Sequence, residues 1–277
     1  MRINTNVSAM TTLRYLNEAT DAKSDSLTKL SSGSRINSAS DDAAGLTVSE
    51  GMKAQIGGTE QAENNAEDGT SLVQTAEGSM SETQTILDRM RTLAVESANG
   101  TLTTTDRDSI DDEFSELTDE ITRLANSTTF NGISLLSGGS TGTTFTFQIG
   151  AYSTSENQIS VTIAGMTAGA LGLSSVSITT VTAAEAAISA IDSALTQVSS
   201  ARATLGAVEN RLSYATSNLE TEDENTSEAN SRIRDVDMAE EMTEYTKQNI
   251  LVQASTTMLS QANSMPSTAL TLLQSLS

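Results

Sequence analysis

Between residues 188 and 233, apolar side chains return at every seventh position. Ile191, Val198, Leu205, Leu212, Leu219 and Ile233 occupy one column, with only Thr226 polar in it, and Ile188 and Leu195 begin a second column beside it. That spacing predicts one long helix with a seam that faces a partner. A heptad seam cannot satisfy itself, so either the same chain supplies matching helices or another copy does. Two upstream stretches fit the first option. From about Asp42 to Ser97, Val73, Met80, Leu87 and Ala94 share one seven-residue column, and Ala76 and Met90 lie in its neighbour. At ~1.5 Å per residue this helix spans roughly 80 Å. Asn99-Gly100 ends it, and Thr105-Asp106 can cap a third helix striped by Ile110, Phe114, Leu117, Ile121 and Leu124. Gly57-Gly58, Gly69 and Gly78 each weaken the second helix by about 1 kcal/mol relative to Ala. We read them as points of close approach, not as hinges.

The two ends carry narrower stripes. Ile3, Val7, Met10, Leu13, Leu16, Leu27 and Leu30 keep three- and four-residue steps. Near the other end, Met238, Met242, Tyr245, Val252, Leu259 and Ala262 share a stripe, with Leu251, Met258 and Met265 beside it. Pro266 is expected to end or reset that helix, leaving Ala269, Leu270, Leu272, Leu273 and Leu276 as a short terminal turn or helix. Burying such side chains yields about 1.5 to 3 kcal/mol each, while ordering the backbone costs roughly 1 to 2 kcal/mol per residue. Neither end folds alone on that balance. The expected inner seam therefore sets Val7, Met10, Leu13, Leu16, Leu27 and Leu30 against Met242, Tyr245, Val252 and Leu259, and the expected rod seam is Ile191, Val198, Leu205, Leu212 and Leu219.

Between these helices the chain changes character. LSSGSRINSASDDAAG from Leu30 to Gly45 reads as a linker ending in an N-cap, and Arg232 to Asp237 as a second linker. Ser127 to Thr182 is rich in Ser, Thr and Gly, with alternation at Phe145, Phe147, Ile149 and again at Ile159, Val161, Ile163, which predicts short strands and turns. The fold class is mainly α: an elongated antiparallel bundle of long helices, or coiled coil, with a small β-hairpin region in the middle of the chain. Residues 1–32 and 239–277 form a discontinuous inner terminal coiled coil, 33–43 and 233–238 are linkers, 44–127 and 182–232 are a rod-like helical domain, and 128–181 are its strand and turn region.

Composition narrows the chemistry. Lys plus Arg total 15 against 36 Asp plus Glu, giving −21 with no His to alter it, so a nucleic-acid backbone or an anionic membrane would repel this surface. Only 3% of residues are aromatic and one is proline, which suits long helices better than a thick globular core. The amino terminus lacks the apolar core of a secretory signal, and no apolar run of ~18 residues occurs. Export by a route that cleaves no classical signal is the expectation.

LSSGSRINSASDDAAG also closely resembles the signature of bacterial flagellin, the filament subunit of the flagellum. The resemblance continues in AEDGTSLVQTAEG from Ala66, LAVESANG from Leu93, FNGISLLSG from Phe130, FQIGA from Phe147, LGAVENRL from Leu205 and ILVQASTTMLSQANSMP from Ile250. It implies a structural protein that polymerises into an extracellular helical filament for motility, exported by the flagellar type III apparatus without a cleaved signal. Its implied partners are other copies of itself, the flagellar cap and hook-junction proteins and a C-terminal export chaperone, with no nucleic acid, membrane or cofactor. The family's variable outer domain falls between Ser127 and Thr182; only a short stretch separates the motifs here, so little or no outer domain is expected. A hook-filament junction protein shares similar ends but matches the internal motifs less well. A secreted coiled-coil adhesin gives no reason for complementary segments at opposite ends.

Candidate chemistry is sparse. Without His or Cys, the usual zinc and thiol sites are absent. Glu220 to Asn225 lacks the central Gly of a calcium loop and reads as a solvated helix face. Gly138-Gly139-Ser140-Thr141-Gly142 has no following Lys-Ser/Thr and reads as a turn, and Asn126-Ser127-Thr128 fits a glycosylation sequon. No enzyme is expected. The resemblance does supply one recognition site: Arg89-x-Arg91-x-Leu93-Ala94-Val95 matches the stretch bound by the flagellin-sensing Toll-like receptor, and Glu113 matches its acidic companion. Arg89, Leu93 and Glu113 are then expected to project as one patch.

Overall fold

The computed structural model describes residues 5–139 and 142–274, and side chains as far as Ser267; Ile3, Ser140, Thr141 and Leu276, named above, lie outside it. Among the described residues the chain is mainly helical. Five helices, α1 (Val7–Ser32), α2 (Ala43–Ser97), α3 (Thr104–Ser127), α4 (Val181–Arg234) and α5 (Met238–Gln274), are interrupted between α3 and α4 by β1 (Thr129–Phe130), β2 (Ile133–Ser134), β3 (Thr143–Gln148) and β4 (Gln158–Ile163). The chain divides into two compact units, Met1–Ala54 with Asn225–Ser277, and Gln55–Glu224. Both divisions fall inside α2 and α4, not at residues 33–43 and 233–238.

The reason is visible in how those two linkers are held. They bond to each other within the first unit: Gly33 closes α1 in the left-handed conformation, its carbonyl accepts from the Val236 N–H (3.0 Å), Ser34 bridges Asp235 antiparallel, and the Arg35 N–H donates to Arg234 O (2.6 Å). Arg234 in turn reaches Glu50 on α2 (2.8 Å), and Ile36 is buried. The start of α2 and the end of α4 thereby join the terminal unit.

The second unit is built on the heptad. Along α2, Ala62, Ala66, Gly69, Val73, Ala76, Met80, Thr83, Leu87, Met90, Ala94 and Ser97 are all buried in alternating steps of four and three. On α4 the buried line includes Ile191, Val198, Leu205, Leu212 and Leu219, with Ala184, Ala187 and Ala194 between them, and α3 adds Phe114, Ile121 and Ala125. The polar members find partners at short range: Thr83 Oγ1 donates to Ser79 O (3.0 Å) and Ser97 Oγ to Ile178 O. Polar pairs flank this seam in antiparallel order: Gln55 with Glu222, Gln74 with Glu209, Glu77 and Gln84 with Arg202, and Arg91 with Asp192.

Residues between α3 and α4 complete this core and form no separate layer of their own. Leu135, Leu136, Met166, Leu171, Leu173 and Ile178 are buried in it. Asn131 and Gly132, both at positive φ, turn β1 into β2, the pairing Asn-Gly favours. β3 and β4 pair antiparallel so that Ile159, Val161 and Ile163 are buried, while Thr144–Thr162 and Thr146–Ser160 pair their hydroxyls outside. Phe147 lies on Gly69 and Ala151 on Gly58; a Cβ at Gly69 would stand 3.1 Å from the ring, and one at Gly58 would stand 2.7 Å from the Ala151 Cβ. A Cβ at Gly57 or Gly78 would meet nothing within 4 Å, so these two are not points of close approach.

One end of this unit is fastened by side chains. Arg107, buried in the first turn of α3, donates from Nε to Ser97 O and from Nη2 to Asn99 O, each at 2.9 Å, satisfying carbonyls at the end of α2. The Ile178 N–H donates to Asp111 Oδ1 (2.7 Å), just before Thr180 caps α4. α3 starts with a full capping box, Thr103 with Asp106, not with Thr105.

In the first unit, α1 packs on α5. Pro266 does not end α5, which continues to Gln274. The missing proline N–H leaves the Ala262 carbonyl without its helical donor, and the Asn6 Nδ2 supplies one at 2.7 Å.

Candidate assembly surface

The contact between α1 and α5 mixes some of the large apolar side chains with small and polar ones. Most half-buried or buried positions on α1 fall in two seven-residue columns, Ala9, Leu16, Lys23, Leu30 and Thr12, Ala19, Ser26, with Thr11, Ala22 and Lys29 beside them; on α5 the columns are Tyr245, Val252, Leu259, Pro266 and Glu241, Gln248, Ser255, Ala262, with Glu244 and Asn249 beside them. Polar members pair across: Lys23 Nζ donates to Asn249 Oδ1 (2.8 Å) and lies over the Tyr245 ring at 5.7 Å. Hydropathy alone misses this line because half of it is small or polar; the seven-residue recurrence of Ala19 with Ser26, and of Gln248, Ser255 and Ala262, is the signal that would find it.

The expected inner seam consequently divides. Leu16, Leu30, Tyr245, Val252 and Leu259 are half-buried between the helices, whereas Val7 and Met10 (each 64% exposed), Leu13, Leu27 and Met242 are exposed. Tyr15, Ile250, Leu251, Met258 and Met265 are exposed as well. Two small contact columns use up the facing surfaces, so the bulky side chains at their margins stay outside. A groove of about 450 Å³ runs between the helices, lined by Tyr15, Glu18, Ala19, Ala22, Gln248, Leu251 and Ser255. So many exposed large apolar side chains on one helix pair mark an association surface.

Arg89, Leu93 and Glu113 are placed differently from one another. Arg89 on α2 grips Glu113 Oε1 on α3 with Nε and Nη2 (2.9 and 2.7 Å), both side chains about half exposed. Leu93 is 1% exposed and belongs to the hydrophobic core, so it does not project with them. Arg91 turns to Asp192 on α4, whose carboxylate hydrogen-bonds the guanidinium and pushes its pKa up. Among the described residues there is no cluster of three or more metal-ligating side chains, and no helix is long and apolar enough to cross a membrane.

Comparison with known proteins bears on both units. Residues 3–141 match the model for the bacterial flagellin N-terminal helical region, and residues 188–273 that for the C-terminal helical region. The chain is 49% identical over 306 aligned positions to flagellin of Bacillus subtilis strain 168, covering 99% of this chain and 100% of that one. It is 46% identical to flagellin of Halalkalibacterium halodurans, with the same coverage of each chain. Among solved structures, Bacillus cereus flagellin superposes with a TM-score of 0.50 at 33% identity, over 56% of this chain and 88% of that one. A structure described as a flagellar hook-associated protein from Vibrio parahaemolyticus reaches 0.58 at 16% identity over 70% of this chain and all of that one, a likeness of fold alone.

Proposed function

Because both helical regions and the full-length relatives place this chain in the bacterial flagellin family, a family of filament subunits and not of enzymes, we propose that its α1–α5 pair is the surface through which copies join. The observation that carries this is the row of exposed Val7, Met10, Leu13 and Leu27 on α1 and Met242, Ile250, Leu251 and Met258 on α5. Ringing such pairs about a common axis buries these side chains, and contacts that repeat without closing give a helical polymer. α1 and α5 act as an inner coiled coil, and the long helices of the second unit act as the rod.

The finer biology follows the same reading. Export runs through the flagellar type III apparatus with no cleaved signal, a chaperone holds α5 before assembly, and cap and hook-junction proteins meet the ends of the polymer. The exposed Arg89–Glu113 pair supports contact with the flagellin-sensing Toll-like receptor, with the buried Leu93 fixing the helix beneath it.

Seed extension tests the assembly reading. Purified chain should lengthen filament seeds, whereas a fragment of residues 40–235 should stay soluble and leave seeds unchanged. Normal extension by that fragment would show that the terminal pair is not the joining surface.

A further inference from the structure

We propose that Asn6 fixes the axial register of α1 on α5, by donating to the one α5 carbonyl that Pro266 leaves without a helical partner. Both halves of this arrangement are in the structure. Asn6 uses its two amide ends separately: Oδ1 accepts the Ala9 N–H at 3.1 Å as the N-cap of α1, and Nδ2 donates to Ala262 O at 2.7 Å. Ala262 is 7% exposed, so water is a poor substitute for the missing donor. Elsewhere in the interior of α5 each carbonyl has its helical N–H, and those that also accept a side chain, such as Ala239 O and Val252 O, take it from a hydroxyl in the next turn of the same helix, so none needs a donor from α1. Sliding α1 by one turn would carry Asn6 to a carbonyl that needs nothing and leave Ala262 O buried and unpaired. The contact columns repeat every seven residues, and apart from the flexible Lys23 with Asn249 and Tyr245 they distinguish one register from the next weakly. The proline thereby marks an address on α5, and the asparagine reads it.

Asparagine is required because one side chain must accept and donate at once. Aspartate caps a helix as well as asparagine does and suits its positive end, but has no proton to give. Asn6→Asp thus removes the bond to α5 and spares the cap. Pro266→Ala supplies a backbone N–H to Ala262 O and makes the bond unnecessary. Four full-length chains, wild type, Asn6→Asp, Pro266→Ala and the double variant, are compared by amide exchange of residues 238–267 and by extension of wild-type seeds. Asn6→Asp is expected to lose about tenfold in extension and in any protection the α5 amides show. In the Pro266→Ala background the same change is expected to cost less than about twofold. Equal losses in both backgrounds, or no loss in either, would overturn the proposal. The extension readout rests on the assembly reading. If wild type itself fails to extend seeds, that reading falls, and the exchange cycle decides the register proposal by itself.

Discussion

Replacing Arg107 by alanine should be among the most damaging polar changes in the second unit. The side chain is 8% exposed and donates to Ser97 O and Asn99 O, the carbonyls with which α2 ends. After truncation, Asn99 is exposed and its carbonyl can turn to water, but Ser97 is fully buried and its carbonyl cannot. A hydrogen bond to a charged group contributes about 1.5 to 3 kcal/mol, and a buried acceptor left bare costs about 1 to 3 kcal/mol, overlapping contributions that together suggest about 3 kcal/mol. For a unit of this size that corresponds to a fall in Tm of roughly 6 to 12 °C. Arg107→Lys keeps the charge near the helix end but one donor direction at most, and should lose about half as much. Urea unfolding followed by far-ultraviolet circular dichroism, at neutral pH with both variants and wild type, measures the difference. A change below about 0.5 kcal/mol for Arg107→Ala, the range of an ordinary surface substitution, would show that the α2 end does not depend on this cap.

Two further outcomes are expected. With a net charge of −21 and screening lengths of about 8 Å near physiological ionic strength, seed extension should quicken as salt rises from low to moderate levels, and rates that fall steadily would contradict the role given to charge. Backbone and hydroxyl hydrogen bonds from Thr103 hold the Asp106 carboxyl below the ordinary aspartate value, so its contribution is complete above that value and is lost as pH falls through it and on through the lower folded value. The stability gap between wild type and Asp106→Asn should therefore close with acidification, and a gap that stays constant down the acid limb would refute the assignment.

The rod seam was legible because burial and hydropathy coincide there: Ile191, Val198, Leu205, Leu212 and Leu219 are apolar, evenly spaced and all buried. The terminal pair was less so. Its contact columns interleave the expected Leu16, Leu30, Tyr245, Val252 and Leu259 with Ala19, Ser26, Lys23, Gln248 and Ser255, which carry little hydropathy signal, while the conspicuous Val7, Met10 and Met242 lie outside. Pro266 misleads for a related reason. A local rule ends the helix, but α5 continues, and the donor that replaces the missing proline N–H sits at Asn6, at the far end of the chain. Leu93 sits next to the Ala94 column, and reading it as part of a motif placed it outside, although the core holds it. The unit divisions inside α2 and α4 coincide with no helix end; they follow tertiary bonds such as Arg234 to Glu50.

The polar pairs between α2 and α4 have a mechanical consequence. Gln55–Glu222, Gln74–Glu209, Arg202–Gln84 and Arg91–Asp192 span the second unit like the rungs of a ladder, each at 2.7 Å. Tension that drags α2 and α4 past each other along their lengths loads every rung at the same moment, together with the interlocked side chains between them. Prying the helices apart from one end loads them one after another. The same bonds thus make a joint that is stiffer in shear than in peeling.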